Sequence, residues 1–93
     1  MVTEELTITI PAEVKSALKI PETELAARLR LELAVHLYEE WLLTFGKSVK
    51  LAQVSRWEFA EELTKRRIAR HYSEKDLEED LAFANLAGKE NGR

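Results

Sequence analysis

Leucine returns every fourth residue from Leu25 through Leu29 and Leu33 to Leu37, and Trp41 continues the series. An interval of four places apolar side chains along one face of an α-helix. The spacing predicts a long helix from Glu22 to about Leu43, with Ala26, Ala34, Tyr38 and Leu42 beside the leucine row. Its polar stripe is Arg28, Glu32, His36, Glu39 and Glu40, where opposite charges four apart support the helix. The apolar face is wide for one small domain. It serves either as a central core helix or, in part, as the seam of a homodimer.

The rest of the chain is short and must fit around that helix. Ninety-three residues allow one domain. Leu6-Thr-Ile-Thr-Ile10 alternates apolar and polar residues and predicts a short N-terminal β-strand, ended by Pro11. Ala12–Lys19 reads as a short helix, broken at Ile20-Pro21. Gly46 suits the stop of the long helix. Lys47 to Phe59 then has the outline of a helix-turn-helix with its break near Gln53–Val54. Ser55 with Glu58 makes a capping box for the second helix, which runs from Arg56 to about Arg67. Ile68–Tyr72 reads as an extended link, with His71 part of it. Ser73 caps a C-terminal amphipathic helix with Leu77, Leu81, Ala84 and nearby Phe83 on one side and acidic residues on the other. The expected fold is mainly α: strand, long central helix, helix-turn-helix, C-terminal helix. Three segments follow, with 1–46 as scaffold and dimerisation unit, 47–70 as helix-turn-helix and 71–93 as partner-binding tail.

Charge divides along the same lines. The total is −3, but residues 1–46 sum to −4, residues 47–70 to +4 and residues 71–93 to −3. The one basic segment is therefore the helix-turn-helix, and local clustering governs polyanion binding more than the total does. In such a motif the start of the second helix enters the major groove while flanking donors hold phosphate. The candidate DNA contacts are Lys47 and Ser48 on the first helix, then Ser55, Arg56, Trp57, Ala60 and Thr64 on the second. Lys65, Arg66, Arg67 and Arg70 lie beyond them. Trp57 also reads as a packing or dimer contact, and the Lys65–Arg70 run as a solvated helix end. An alternative reader, a ribbon-helix-helix using Thr7 and Thr9, suits the chain less, because Glu4 and Glu5 flank those positions.

Cysteine is absent, which removes disulfides and thiolate chemistry and fits an intracellular protein. No apolar run approaches the roughly 18 residues of a membrane span, and the N-terminus lacks a basic leader. The expectation is a cytoplasmic protein with no membrane contact. His36 lies among glutamates as a surface ion-pair residue rather than a metal ligand. With only two histidines and three glycines, neither a catalytic constellation nor a phosphate-cradling loop is visible. No enzyme activity, metal or cofactor is expected.

The order Leu29-Arg-Leu-Glu-Leu-Ala34, Gly46-Lys47, Ser55-Arg-Trp-Glu-Phe59, His71-Tyr-Ser-Glu74 and Asp76-Leu-Glu-Glu-Asp-Leu81 resembles the uncharacterised protein family 0175 over roughly residues 6–82. The resemblance implies a small prokaryotic antitoxin, paired with a PIN-domain ribonuclease toxin. One half would bind operator DNA and repress its own operon, and the C-terminal half would cover the toxin. Tyr72, Leu77, Leu81 and Phe83 are then the partner-binding residues, on an acidic helix suited to a basic nuclease cleft. The chain departs from the family pattern at Val49, where members usually have Ala, and at Gln53, where they usually have Gly. It also has Lys65-Arg-Arg-Ile-Ala-Arg70 where members more often have Glu-Arg-Gly-Ile-Pro. The competing reading is a helical protein-interaction module that touches no DNA.

Overall fold

A computed structural model describes residues 4–72. Four helices follow in order: α1 (Ala12–Ala17), α2 (Glu22–Glu39), α3 (Phe45–Ala52) and α4 (Arg56–Lys65). Pro11 and Pro21 stand at the N-caps of α1 and α2, where the missing N–H costs nothing. Thr44 caps α3, its Oγ1 accepting from the Lys47 N–H at 3.2 Å. The expected capping box at α4 forms in full. Ser55 Oγ accepts from the Glu58 N–H at 3.0 Å, and the Ser55 N–H donates to Glu58 Oε1 at 2.9 Å.

The expected N-terminal strand does not form. Among the described residues there is no strand, and Leu6–Ile10 is irregular and exposed. Alternating β-branched residues make a strand only where a neighbour accepts their backbone hydrogen bonds, and no other extended segment of the described chain supplies one. Leu6 remains 87% exposed. Helix α1 buries no residue at all. The C-terminal helix expected from Ser73, with Leu77, Leu81 and Phe83, lies outside the described residues.

The core is made by α2, α3 and α4. Ala34, Val35, Tyr38, Phe45, Ala52, Phe59 and Leu63 form one buried cluster, with Leu31, Val49, Leu51, Val54, Ala60 and Ile68 around it. Each of the three helices contributes one ring to a mutual edge-to-face triad. The centroids lie 6.0 Å apart for Tyr38–Phe45, 6.1 Å for Tyr38–Phe59 and 5.5 Å for Phe45–Phe59. Such pairs add about 0.5–1.5 kcal/mol each beyond burial. The buried face of α2 is thus centred on Ala34, Val35 and Tyr38. Leu29 and Leu37 are only half-buried, and Leu33 and Trp41 are exposed.

Each of the four helices is followed by a residue in the left-handed region, and none of these is glycine: Lys19, Trp41, Gln53 and Arg67. Helix α2 stops at Glu39, before the expected Leu43. The Leu42 N–H donates to the Leu37 carbonyl (2.9 Å) and the Trp41 N–H to the Tyr38 carbonyl (3.0 Å), a Schellman closure with Trp41 at the left-handed position. Gly46, expected as that stop, lies instead inside α3. Helix α4 closes the same way at Lys65, short of the expected Arg67. The Ile68 N–H donates to the Leu63 carbonyl and the Arg67 N–H to the Thr64 carbonyl. A left-handed backbone costs a residue with a Cβ roughly 1 kcal/mol. Gln53, at φ 58° and ψ 43°, carries that cost in the α3–α4 turn. Gln53→Gly should therefore raise stability by about 0.5–1 kcal/mol, since glycine's extra unfolded-state entropy offsets part of the relief. Thermal melts read this as an upward shift of several degrees.

Candidate nucleic-acid interface

Helices α3 and α4 are joined by the three residues Gln53, Val54 and Ser55, the turn length of a helix-turn-helix. Phe45, Ala52, Phe59 and Leu63 hold the pair from within. The start of α4 is not interred: Ser55, Trp57 and Glu58 are exposed, Trp57 at 73%. Trp57, Glu61, Thr64 and Lys65 recur at helical spacing along its outer side. Together with Ala60 they line a shallow groove. Thr64 Oγ1 donates back to the Ala60 carbonyl at 3.1 Å, which fixes that side chain.

The structure sorts the sequence candidates. Lys47, Lys65 and Arg67 are exposed, and so is Lys50 one turn along α3. Ser48 is fully buried on the stripe Phe45–Ser48–Ala52, so its side chain faces the core and not solvent. Arg56 is half-buried with its guanidinium 4.9 Å from the Phe45 ring centroid, and Arg70 stacks on the same ring at 3.6 Å. Both cations are engaged by the core's edge rather than projecting from α4.

Arg66 departs furthest from expectation. Two of its guanidinium nitrogens each donate to one carboxylate oxygen of Glu32 at 2.9 Å, and its Nε donates to Glu62 at 2.9 Å. Arg28 adds a further bond to Glu32 at 2.9 Å. This network ties the end of α4 to the middle of α2. The hydrogen bond from Arg66, then that from Arg28, holds the Glu32 carboxyl down at about 2. The same hydrogen bond, accepted by Glu32, pushes Arg66 further up. Arg66 fastens α4 to α2, with its guanidinium held by the Glu32 and Glu62 carboxylates.

His71 is buried rather than part of a loose link. Its ring lies between Trp41 (centroids 3.5 Å apart, planes 2° from parallel) and Tyr38 (4.2 Å), and its backbone N–H donates to the Tyr38 hydroxyl. The only hint in the sequence is the pair of aromatic residues Tyr38 and Trp41, which does not reveal a partner 33 residues away. Tyr72, the one partner-binding candidate among the described residues, is exposed. His36 is exposed, and no cluster of metal-ligating side chains occurs among the described residues. No described helix is long and apolar enough to cross a membrane.

Known proteins share this sequence pattern. A "UPF0175 protein" of Aeropyrum pernix is 45% identical over 75 residues, covering 81% of this chain and 84% of its own length. A "UPF0175 protein" of Archaeoglobus fulgidus is 32% identical over 60 residues, covering 64% of this chain and 69% of its own. No solved structure matches the chain. The family model of the uncharacterised protein family UPF0175 matches residues 1–85, and the chain belongs to that family.

Proposed function

We propose that this protein is a DNA-binding antitoxin that represses its own operon and neutralises a PIN-domain ribonuclease toxin, acting without catalysis in the cytoplasm. The observation that carries the DNA half is the α3–α4 pair itself: a three-residue turn, a capped and accessible start of α4, and exposed Lys47, Lys50, Lys65 and Arg67 around it. Arg67 adds weight. It holds a left-handed backbone at φ 59°, at the position where the resembled family more often has glycine, and displays a cation there. The toxin half rests on the family resemblance and on the acidic segment bearing Leu77, Leu81 and Phe83.

Fluorescence anisotropy with the duplex upstream of the protein's own gene tests the DNA half. Binding should weaken with salt. Lys47→Glu with Lys50→Glu should flatten the log–log salt slope by about 0.9 for each phosphate no longer neutralised. Lys19→Glu, away from the motif, should leave it unchanged. If the double variant binds as the parent does, the DNA half is wrong. The second reading, a protein-interaction module alone, is favoured by the exposure of Trp41, Leu42 and Tyr72. Truncation after Tyr72, which keeps His71 in its stack, should retain DNA binding and lose the nuclease. Retained nuclease inhibition would move the toxin surface into residues 1–72.

The reading includes a homodimer. Leu6, Ile8, Ile10, Val14, Leu18 and Leu33 are all exposed, and an uncovered helix as short as α1 is marginal in water. Light scattering should give twice the chain mass, and removal of residues 1–20 should give the monomer. A full-length monomer at micromolar concentration would exclude the dimer.

A further inference from the structure

The outer face of α4 is unlike that of a helix built to read guanine. Guanine is recognised by a forked or extended cation reaching O6 and N7, and Arg56, the arginine at the start of α4, is drawn back against the Phe45 ring. The groove along α4 is largely apolar, made by the Trp57 ring, the half-buried Ala60 methyl and the side chain of Thr64, whose hydroxyl is already committed to the Ala60 carbonyl, with exposed Glu58 outside it. The one anionic side chain in that groove is Glu61, with Lys65 at its end. In the major groove an apolar side chain finds one apolar feature, the C5-methyl of thymine, and a carboxylate finds its better donor in the exocyclic amine of cytosine, since adenine's amine sits beside the N7 acceptor that repels a carboxylate. The exposed cations Lys47, Lys50 and Arg67 leave the phosphates to be held from outside the reading stripe.

We propose that α4 recognises thymine methyl groups through Trp57, Ala60 and Thr64, with Glu61 accepting from a cytosine amine, so that the operator half-site is thymine-rich and has no arginine–guanine pair at its centre. This rests on the DNA reading above and adds the chemistry of its specificity. It also accounts for an acidic residue on a reading helix, which a phosphate-binding role alone would disfavour.

The test replaces every thymidine of the upstream duplex with deoxyuridine, which removes the methyl groups and leaves the phosphates and pairing edges in place. Each methyl contacted is worth about four-fold in affinity, from about 0.8 kcal/mol per buried carbon. Two or three such methyls should together be worth about ten-fold or more, so binding weakens by that factor with the salt slope unchanged. Thr64→Ser, which removes only a methyl, and Trp57→Ala should shrink the difference between the two duplexes. Both sites are exposed, so neither variant threatens the core. Equal affinity for both duplexes with the salt slope intact overturns the methyl reading and leaves DNA binding standing. Salt-dependent binding to neither overturns both.

Discussion

Phe59→Ala should leave the chain without a cooperative fold at 37 °C. Phe59 is fully buried and stands where α2, α3 and α4 meet, edge-on to both Tyr38 and Phe45. Truncating a buried phenylalanine costs about 3–5 kcal/mol through forfeited transfer energy and the cavity left behind. The variant also forgoes two edge-to-face ring pairs, each worth about 0.5–1.5 kcal/mol. Domains hold only about 5–15 kcal/mol in total, and one this small sits near the lower end. The variant should show a non-cooperative melt by circular dichroism. Phe59→Leu, which fills most of the volume, should melt cooperatively at a reduced temperature. A Phe59→Ala protein melting within a few degrees of the parent would mean that the triad is not the centre of the core.

The second large effect is acid sensitivity through Glu32. Its carboxyl titrates near 2 in the folded protein against an ordinary value of 4.5, so the folded state binds a proton there less readily than the unfolded chain. Its stabilisation is complete above about pH 4.5 and is lost as pH falls through the folded value. The Glu32 side chain is 41% exposed, so solvent screening reduces the linkage energy to roughly 1–2 kcal/mol. Urea midpoints should fall between pH 4.5 and 2 in the parent, and Glu32→Gln should be less stable at pH 7 while losing less on acidification. Arg66→Met should cost about 2 kcal/mol at pH 7, because it leaves two carboxylates facing each other without their shared partner. Identical pH profiles for the parent and Glu32→Gln would remove Glu32 from the account.

The features behind these effects differ in how much of them the sequence reveals. The Ser55–Glu58 box, the Arg28–Glu32 pair and the break at Gln53 involve residues within four of one another, and all three form where the sequence puts them. The helix ends fall two to four residues short of their expected positions. Trp41 and Arg67 take the left-handed backbone that glycine usually supplies, and a side chain gives no local sign that it will do so. Within the basic segment, Lys47, Lys65 and Arg67 are exposed, as a phosphate-facing role requires. Ser48 and Arg66 are not, because their environments are set by the packing of the helices on one another.

Residue order alone determined that the middle of this chain would form two helices around a short turn, the second opened by the Ser55–Glu58 capping box. Those outcomes depend on side chains reaching their own backbone or a neighbour one turn away. Only the tertiary structure decided which arginine fastens α4 to α2, which rings meet in the core, and that His71 closes between Tyr38 and Trp41. It also decided that Leu6–Ile10 finds no strand to pair with among the described residues. The reason is one of distance along the chain: a contact between residues on different helices, well beyond one turn apart, depends on the whole fold, and no local pattern encodes its partner.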